Sequence, residues 1–265
     1  MSMAEWVDVH THVIHPKIAA KVFAQLEKHY HLRPMGNGQA EQLLQCMEWS
    51  DLSKAFVHTA AINAEQVNPA NRWAVSLKRY PQFVPFGTIH PQLKDFETEL
   101  AWLFDHGIRG IKLHPDYQGF QLDDPALLPI FAAMEGNFTV MVHVGGLLPL
   151  EQSPSCPWKL AAIKRRFPKL QLIAAHFGGY LQWQHVVEAY RGLDILLDTS
   201  STLFIIQQPL LEAIFHAFPL QNFLYGSDYP FWEPTMERNA LQRRLNLSDN
   251  ELDEIMSAGS RLGLY

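Results

Sequence analysis

The sequence predicts an α/β protein built as a single (β/α)8 TIM-like barrel, with an extended first βα loop and closing helices towards its C-terminal end. Three observations carry this. Eight short β-rich runs recur along 265 residues, helix-periodic stretches separate them, and histidines gather where the β-rich runs end.

The first run, 6–12, closes on Asp8-Val9-His10-Thr11-His12. In an extended strand alternate side chains share a face, so His10 and His12 point at one spot with Asp8 behind them. The connection that follows is the longest. It holds a helical segment at 18–29, the turn-rich stretch His31-Leu32-Arg33-Pro34-Met35-Gly36-Asn37-Gly38 and a second helical segment at 39–50. Long barrel loops of this kind are either substrate-binding elements or surface excursions. A second strand at 55–59 leads to a helix at 65–78, with Pro81 beyond it. The third strand, 83–89, stops at His90-Pro91 and precedes a helix at 95–106; the fourth, 110–114, stops at His114-Pro115 and precedes one at 125–135. Strands at 140–144, 171–176, 195–199 and 223–226 alternate with helices at 158–167, 180–190 and 208–218, the first and last of these followed by Pro168 and Pro219. After Tyr229-Pro230, segments 236–245 and 249–257 read as closing helices, with Ser248 as N-cap. Strict βα alternation implies parallel strands with right-handed crossovers, and eight of them can close on themselves. An open doubly wound sheet would want a glycine-rich first turn, and none follows the first strand.

Residues 1–265, 48% of them hydrophobic, suffice for one domain, and no linker divides them. Net charge is −6 and no Lys/Arg stripe stands out, which argues against nucleic-acid and anionic-membrane partners; Lys164-Arg165-Arg166 reads as the solvated end of a helix. Cys46 and Cys156 form neither a CxxC site nor a disulfide framework, no run is long enough to span a membrane, and residues 1–10 hold no basic stretch followed by a long apolar run, so an unexported protein is expected. A cytoplasmic enzyme acting on a small molecule is expected, and a homodimer is compatible with it.

The histidines lie at predicted strand ends: His10 and His12, His90, His114, His143 and His176, joined by Asp228 after the eighth strand. Barrel active sites are assembled from those ends. Imidazoles plus one carboxylate, with a position left for water, meet the requirement of an open catalytic metal site, and His10, His12, His143 and Asp228 can supply it. His176 or Asp228 can then move the proton. Asp8 reads either as a partner orienting a ligand imidazole or as part of the barrel floor. Asp198-Thr199-Ser200 reads as a substrate contact or as turn and cap chemistry.

The chain resembles the amidohydrolase superfamily, in its amidohydrolase-related branch similar to aminocarboxymuconate semialdehyde decarboxylase. The resemblance is carried, in order along nearly the whole chain, by Val7-Asp8-Val9-His10-Thr11-His12, Gly110-Ile111-Lys112-Leu113-His114-Pro115, Val142-His143-Val144-Gly145, Ala175-His176-Phe177-Gly178-Gly179, Leu197-Asp198-Thr199-Ser200 and Tyr225-Gly226-Ser227-Asp228-Tyr229-Pro230. It implies one divalent metal, zinc by preference, on His10, His12, His143 and Asp228, with His176 beside the metal water and Asp228 shuttling a proton. Lys112 admits a second arrangement, because some superfamily members carboxylate a strand-four lysine to bridge two metals; the Lys-Leu-His-Pro form favours one ion.

His114, Lys112 and His90 are candidates to line the substrate pocket, and Arg33 to pair with a substrate carboxylate. Their alternatives are histidines closing turns before proline and a surface arginine. His15, His29, His31, His58, His106, His185 and His216 read as solvated or structural. The leading expectation is a metal-dependent hydrolase of a small ester, lactone or amide. A metal-dependent decarboxylase of a small unsaturated or aromatic acid is the alternative, and an inactive metal-binding scaffold is a third reading of another class.

Overall fold

The computed structural model describes residues 5–30 and 32–265, the side chains of His29 and Tyr30 excepted, so the expectations for His29 and His31 lie outside the described residues. In chain order the elements are β1 (Val7–His12), α1 (Ala19–Tyr30), α2 (Ala40–Trp49), β2 (Lys54–His58), α3 (Ala64–Ser76), β3 (Phe83–Thr88), α4 (Phe96–Asp105) and β4 (Gly110–Leu113). There follow α5 (Pro115–Gln118), α6 (Leu128–Met134), β5 (Thr139–Val142), α7 (Pro157–Arg166), β6 (Gln171–Ala174), α8 (Val186–Ala189), β7 (Leu196–Asp198), α9 (Gln208–Ala217), β8 (Phe223–Leu224), α10 (Pro234–Leu245) and α11 (Asp249–Ser257).

Each strand pairs in parallel with the next, from β1 to β8. The segment after β8 then returns to β1. Val9 and His12 donate backbone N–H groups to the carbonyls of Tyr225 and Tyr229 at 2.8 and 2.7 Å, and Asp228 N donates to His10 O at 2.7 Å. The sheet is thereby a nearly closed (β/α)8 barrel.

Two apolar layers hold it. Val7, Val9, Phe56, Phe86, Met141 and Ile173 fill the inside, while Leu43, Ile111, Phe131, Val140, Leu160 and Leu211 belong to the larger layer between strands and helices. Each such fully buried side chain contributes about 1.5–3 kcal/mol relative to exposure. At the floor, a Cβ on Gly259 would meet Val7 Cγ1 at 2.8 Å, so the C-terminal turn plugs the barrel only with a glycine there.

The eight strands and the two closing helices stand where the sequence places them, and Ser248 caps α11 through a capping box with Glu251. Three differences have physical causes. The helix expected at 180–190 shrinks to α8, because Gly178 and Leu181 take φ of 81° and 58° and Tyr180 N is tied to Val144 O. The short α5 follows β4 directly, with His114 at its N-cap accepting from Tyr117 N. Lys164 is buried rather than solvated, its Nζ donating to the carbonyls of Pro168 and Leu170, which satisfies acceptors beyond the end of α7. No helix among the described residues is long and apolar enough to cross a membrane.

Candidate metal centre

The irregularity in β1 determines what its histidines face. Val7 and Val9 point into the barrel's apolar interior, and pairing with β2 shifts register between Asp8 and Thr11. This bulge changes the phase of alternation, so His10 and His12 turn towards the mouth although Val9 has just faced the core. Asp8 holds the bulge. Its Oδ1 accepts the backbone N–H groups of His10 and Ser227, each at 3.0 Å. Asp8 thus clamps backbone on both sides of the seam and orients no imidazole; burial pushes its carboxyl up to about 7.

Asp228 enters from the segment after β8 in a left-handed conformation, φ 61°, and its Oδ1 lies 3.5 Å from His10 Nε2 and 3.3 Å from His12 Nε2. The three donors form a group able to hold one ion. The donor set is two imidazoles and a carboxylate, which fits a divalent cation. Gly226 makes the approach possible, since a Cβ there would sit 2.9 Å from His10 Cβ.

Asp198, fully buried at the end of β7, organises the cluster from behind. Its Oδ2 lies 2.8 Å from His10 Nδ1, while its Oδ1 accepts from His176 N at 3.1 Å, Ser200 N at 2.9 Å and Ser200 Oγ at 2.5 Å. A carboxylate at Nδ1 places the ring proton there and leaves the Nε2 lone pair facing the site. Sequence reasoning weighed Asp198 only as a substrate contact or turn residue. Its signal was available: an aspartate closing an apolar run in the position where other strands carry histidines.

The remaining histidines pack around this core. His176, also left-handed at φ 61°, places Nε2 2.9 Å from His143 Nδ1, and its ring stacks 5.1 Å from that of His10. His143 stacks on His114 at 3.8 Å, and these two with Asp116 make a separate group of possible ligands. Lys112 is buried behind the trio and donates from Nζ to His10 Nε2 at 2.9 Å. His58, read as structural, is buried with Nε2 against Val9 O.

Burial dominates the electrostatics. It holds His10, His143 and His176 below the usual imidazole value, so these rings are neutral, and it brings Lys112 down to about 8. For Asp228 burial works the other way. Its close contacts with the imidazoles of His10, His12 and His176, a hydrogen bond with His12 among them, outweigh it and hold the carboxyl well below the usual range.

A cavity of about 600 Å³ opens on this cluster, walled by His10, His12, His114, His143, His176 and Asp228 on one side. Three sequence candidates do not line it, and the first, Lys112, is buried against His10 Nε2 instead. Arg33 is 86% exposed and paired with Glu27 at 2.8 Å, because the turn carrying it points outward. His90 is buried, 3.2 Å from Gln118 O, and closes a turn by accepting from Gln92 N. The extended first loop does reach the site: Met35 and Gly36 dock on Pro230 O, and α1 lines the cavity.

A family model described as amidohydrolase matches residues 7–258. Among solved structures, an uncharacterised TIM-barrel protein from Bordetella bronchiseptica is similar with a TM-score of 0.80 at 16% identity, over 98% of this chain and 99% of that one. A dihydroxybenzoic acid decarboxylase from a Polaromonas species, with bound manganese and the inhibitor 2-nitroresorcinol, gives 0.73 at 15%, over 99% and 97%. A probable 2-pyrone-4,6-dicarboxylic acid hydrolase from Acinetobacter baumannii gives 0.70 at 14%, over 97% and 98%.

Proposed function

Because the chain belongs to the amidohydrolase family, we propose that this metal-dependent enzyme binds one divalent ion, zinc by preference, on His10, His12 and Asp228 and hydrolyses an ester, lactone or amide of a small molecule. The observation that carries this reading is the convergence of the His10 and His12 Nε2 atoms on Asp228 Oδ1 within 3.5 Å. His143 is the fourth ligand in this reading, its Nδ1 standing one ring away beside His176. A divalent ion held there supplies Lewis acidity and lowers the pKa of coordinated water towards about 7.

The chain's own groups handle the proton. Asp228 accepts it at the carboxylate, whose Oδ2 is fixed by Ser201 Oγ at 2.5 Å, and returns it to the leaving group. Ser201 is itself held by the Trp232 indole at 3.1 Å. His176, neutral and anchored at Nδ1 by Ser200, presents Nε2 as a second acceptor.

Decarboxylation of a small unsaturated or aromatic acid is the second reading, on equal footing, favoured by the fold likeness to the manganese-containing dihydroxybenzoic acid decarboxylase. An ion held by the same donor trio would engage the substrate carboxylate, and His176 or Asp228, once it has taken a proton from solvent, would deliver that proton to the carbon that carbon dioxide leaves. Assays on lactones, esters and amides, run beside carbon dioxide detection with aromatic acids, separate the two: carbon dioxide release without hydrolysis overturns the first. Metal analysis tests the centre itself. Asp228→Ala should lose the ion, and full occupancy in that variant refutes the ligand assignment; two ions per chain would replace the single-ion reading with a site bridged through Lys112.

A further inference from the structure

The cavity is larger than one small ring requires. At about 600 Å³ it falls within the 300–1,000 Å³ range of pockets for drug-sized ligands. The donor cluster supplies only part of its wall. The rest comes from the segment before α1, from α1 and from α3, through Ile14, Ile18, Val22, Leu26, Ala70 and Trp73. Trp73 is fixed by its indole N–H on Val13 O at 3.0 Å, so its ring is a preset wall. Ile18 and Ile62, both lining residues, remain 50% and 38% exposed, which leaves apolar surface open at the mouth.

Charge on these walls is sparse. Besides Asp228 and the histidines, the charged lining residues among those described are Lys17 and Lys21, both exposed on the α1 side, and no arginine lines the cavity. A second carboxylate on the substrate, carried against Ile14, Val22, Ala70 and Trp73 and away from the exposed Lys17 and Lys21, would be buried against carbon without a partner, which is costly. An apolar body there would instead cover the exposed isoleucines and gain burial.

We infer that the substrate is amphiphilic: its reactive carboxyl group lies at the donor cluster and an apolar body, an alkyl chain or alkyl-bearing ring, lies along the wall formed by α1 and α3. The inference rests on the reading that places the reacting carbon at His10, His12 and Asp228. Its test is binding of straight-chain carboxylates, from butanoate to decanoate, to the zinc-loaded protein by calorimetry. Affinity should rise about fourfold per added methylene over the first few carbons, the ratio expected for burying each CH₂. Ile18→Asp, a change at an exposed position, should weaken decanoate at least tenfold while moving butanoate little, and Ala70→Trp should flatten the series once the chain meets the indole. Length-independent affinity overturns the inference, as does a decanoate affinity that neither variant alters. Failure of both turnover assays with the chain-length dependence intact refutes the proposed chemistry alone; length-independent binding with turnover intact refutes this inference alone.

Discussion

Asp198→Asn probes a carboxylate that stands behind His10 in the proposed centre, although with His10 and His176 it also forms a group able to hold an ion. The substitution keeps shape and removes charge. Asn Oδ1 can still accept from the backbone N–H groups of His176 and Ser200, which the wild-type Oδ1 receives at 3.1 and 2.9 Å. Its NH₂ would then face His10 Nδ1, where the carboxylate Oδ2 stands at 2.8 Å. Two donors cannot meet, so the ring must move its proton to Nε2 and lose the lone pair aimed at the ion. Outer partners of ligand histidines are typically worth 10–100-fold in metal affinity, about 1.4–2.8 kcal/mol, in line with about 1.5–3 kcal/mol for a hydrogen bond to a charged group. Asp198→Ala is the poorer probe, since it strips four buried donors of their acceptor at about 1–3 kcal/mol each and threatens the fold. Zinc affinity by chelator competition gives the magnitude, and ¹⁵N chemical shifts of the His10 ring report the tautomer. An Asn variant with wild-type affinity and Nδ1 still protonated would refute the reasoning.

Three further outcomes are expected. His176→Asn should retain the ion while turnover falls about 100- to 10,000-fold, the usual range for a lost proton-transfer group; metal analysis and steady-state kinetics check both halves. Gly226→Ala should destabilise the fold by about 1–3 kcal/mol and weaken metal binding, because the new Cβ would lie 2.9 Å from His10 Cβ; urea unfolding and metal titration measure the two effects. Asp8, pushed up to about 7 by burial, holds a proton in the folded chain that the unfolded chain releases near pH 4. Stability of the metal-stripped protein should therefore fall as pH rises from about 4 to about 7 and level off above, and Asp8→Asn should flatten that slope in urea midpoints taken across the window.

The barrel was legible in the sequence because each strand is a short apolar run stopped by a histidine, an aspartate or a glycine, and the stops mark the mouth. The same punctuation located His10, His12, His114, His143, His176 and Asp228, all of which reach the cavity wall. What could not be read depends on geometry between distant segments. The β1 bulge exists because Asp8 bonds to Ser227 across the barrel seam, and no local pattern announces such a partner. Tyr180, Trp183, Val186 and Tyr190 have helical spacing, yet the backbone at Gly178 and Leu181 turns left-handed and most of that stretch is not helical. His90 and His114 look alike before their prolines. Only the second stands on the cavity wall; the first faces Gln118, whose amide also bonds to the carbonyls of Ala61 and Ile89.

The donor trio straddles the line where the barrel closes: His10 and His12 lie on the opening strand, and Asp228 lies just past the final one. An ion held there, as proposed, would work as a buckle between the first strand and the last. A nascent chain that has laid down seven strands carries His10 and His12 but not yet Asp228, so the proposed trio stays incomplete until the segment after β8 is made. Once the last strand docks, an ion present at 100 times its dissociation constant adds about 2.7 kcal/mol to the closed form over any state with the seam open. In this reading the same three side chains would fasten both chemistry and closure, so opening the barrel would also disarm it.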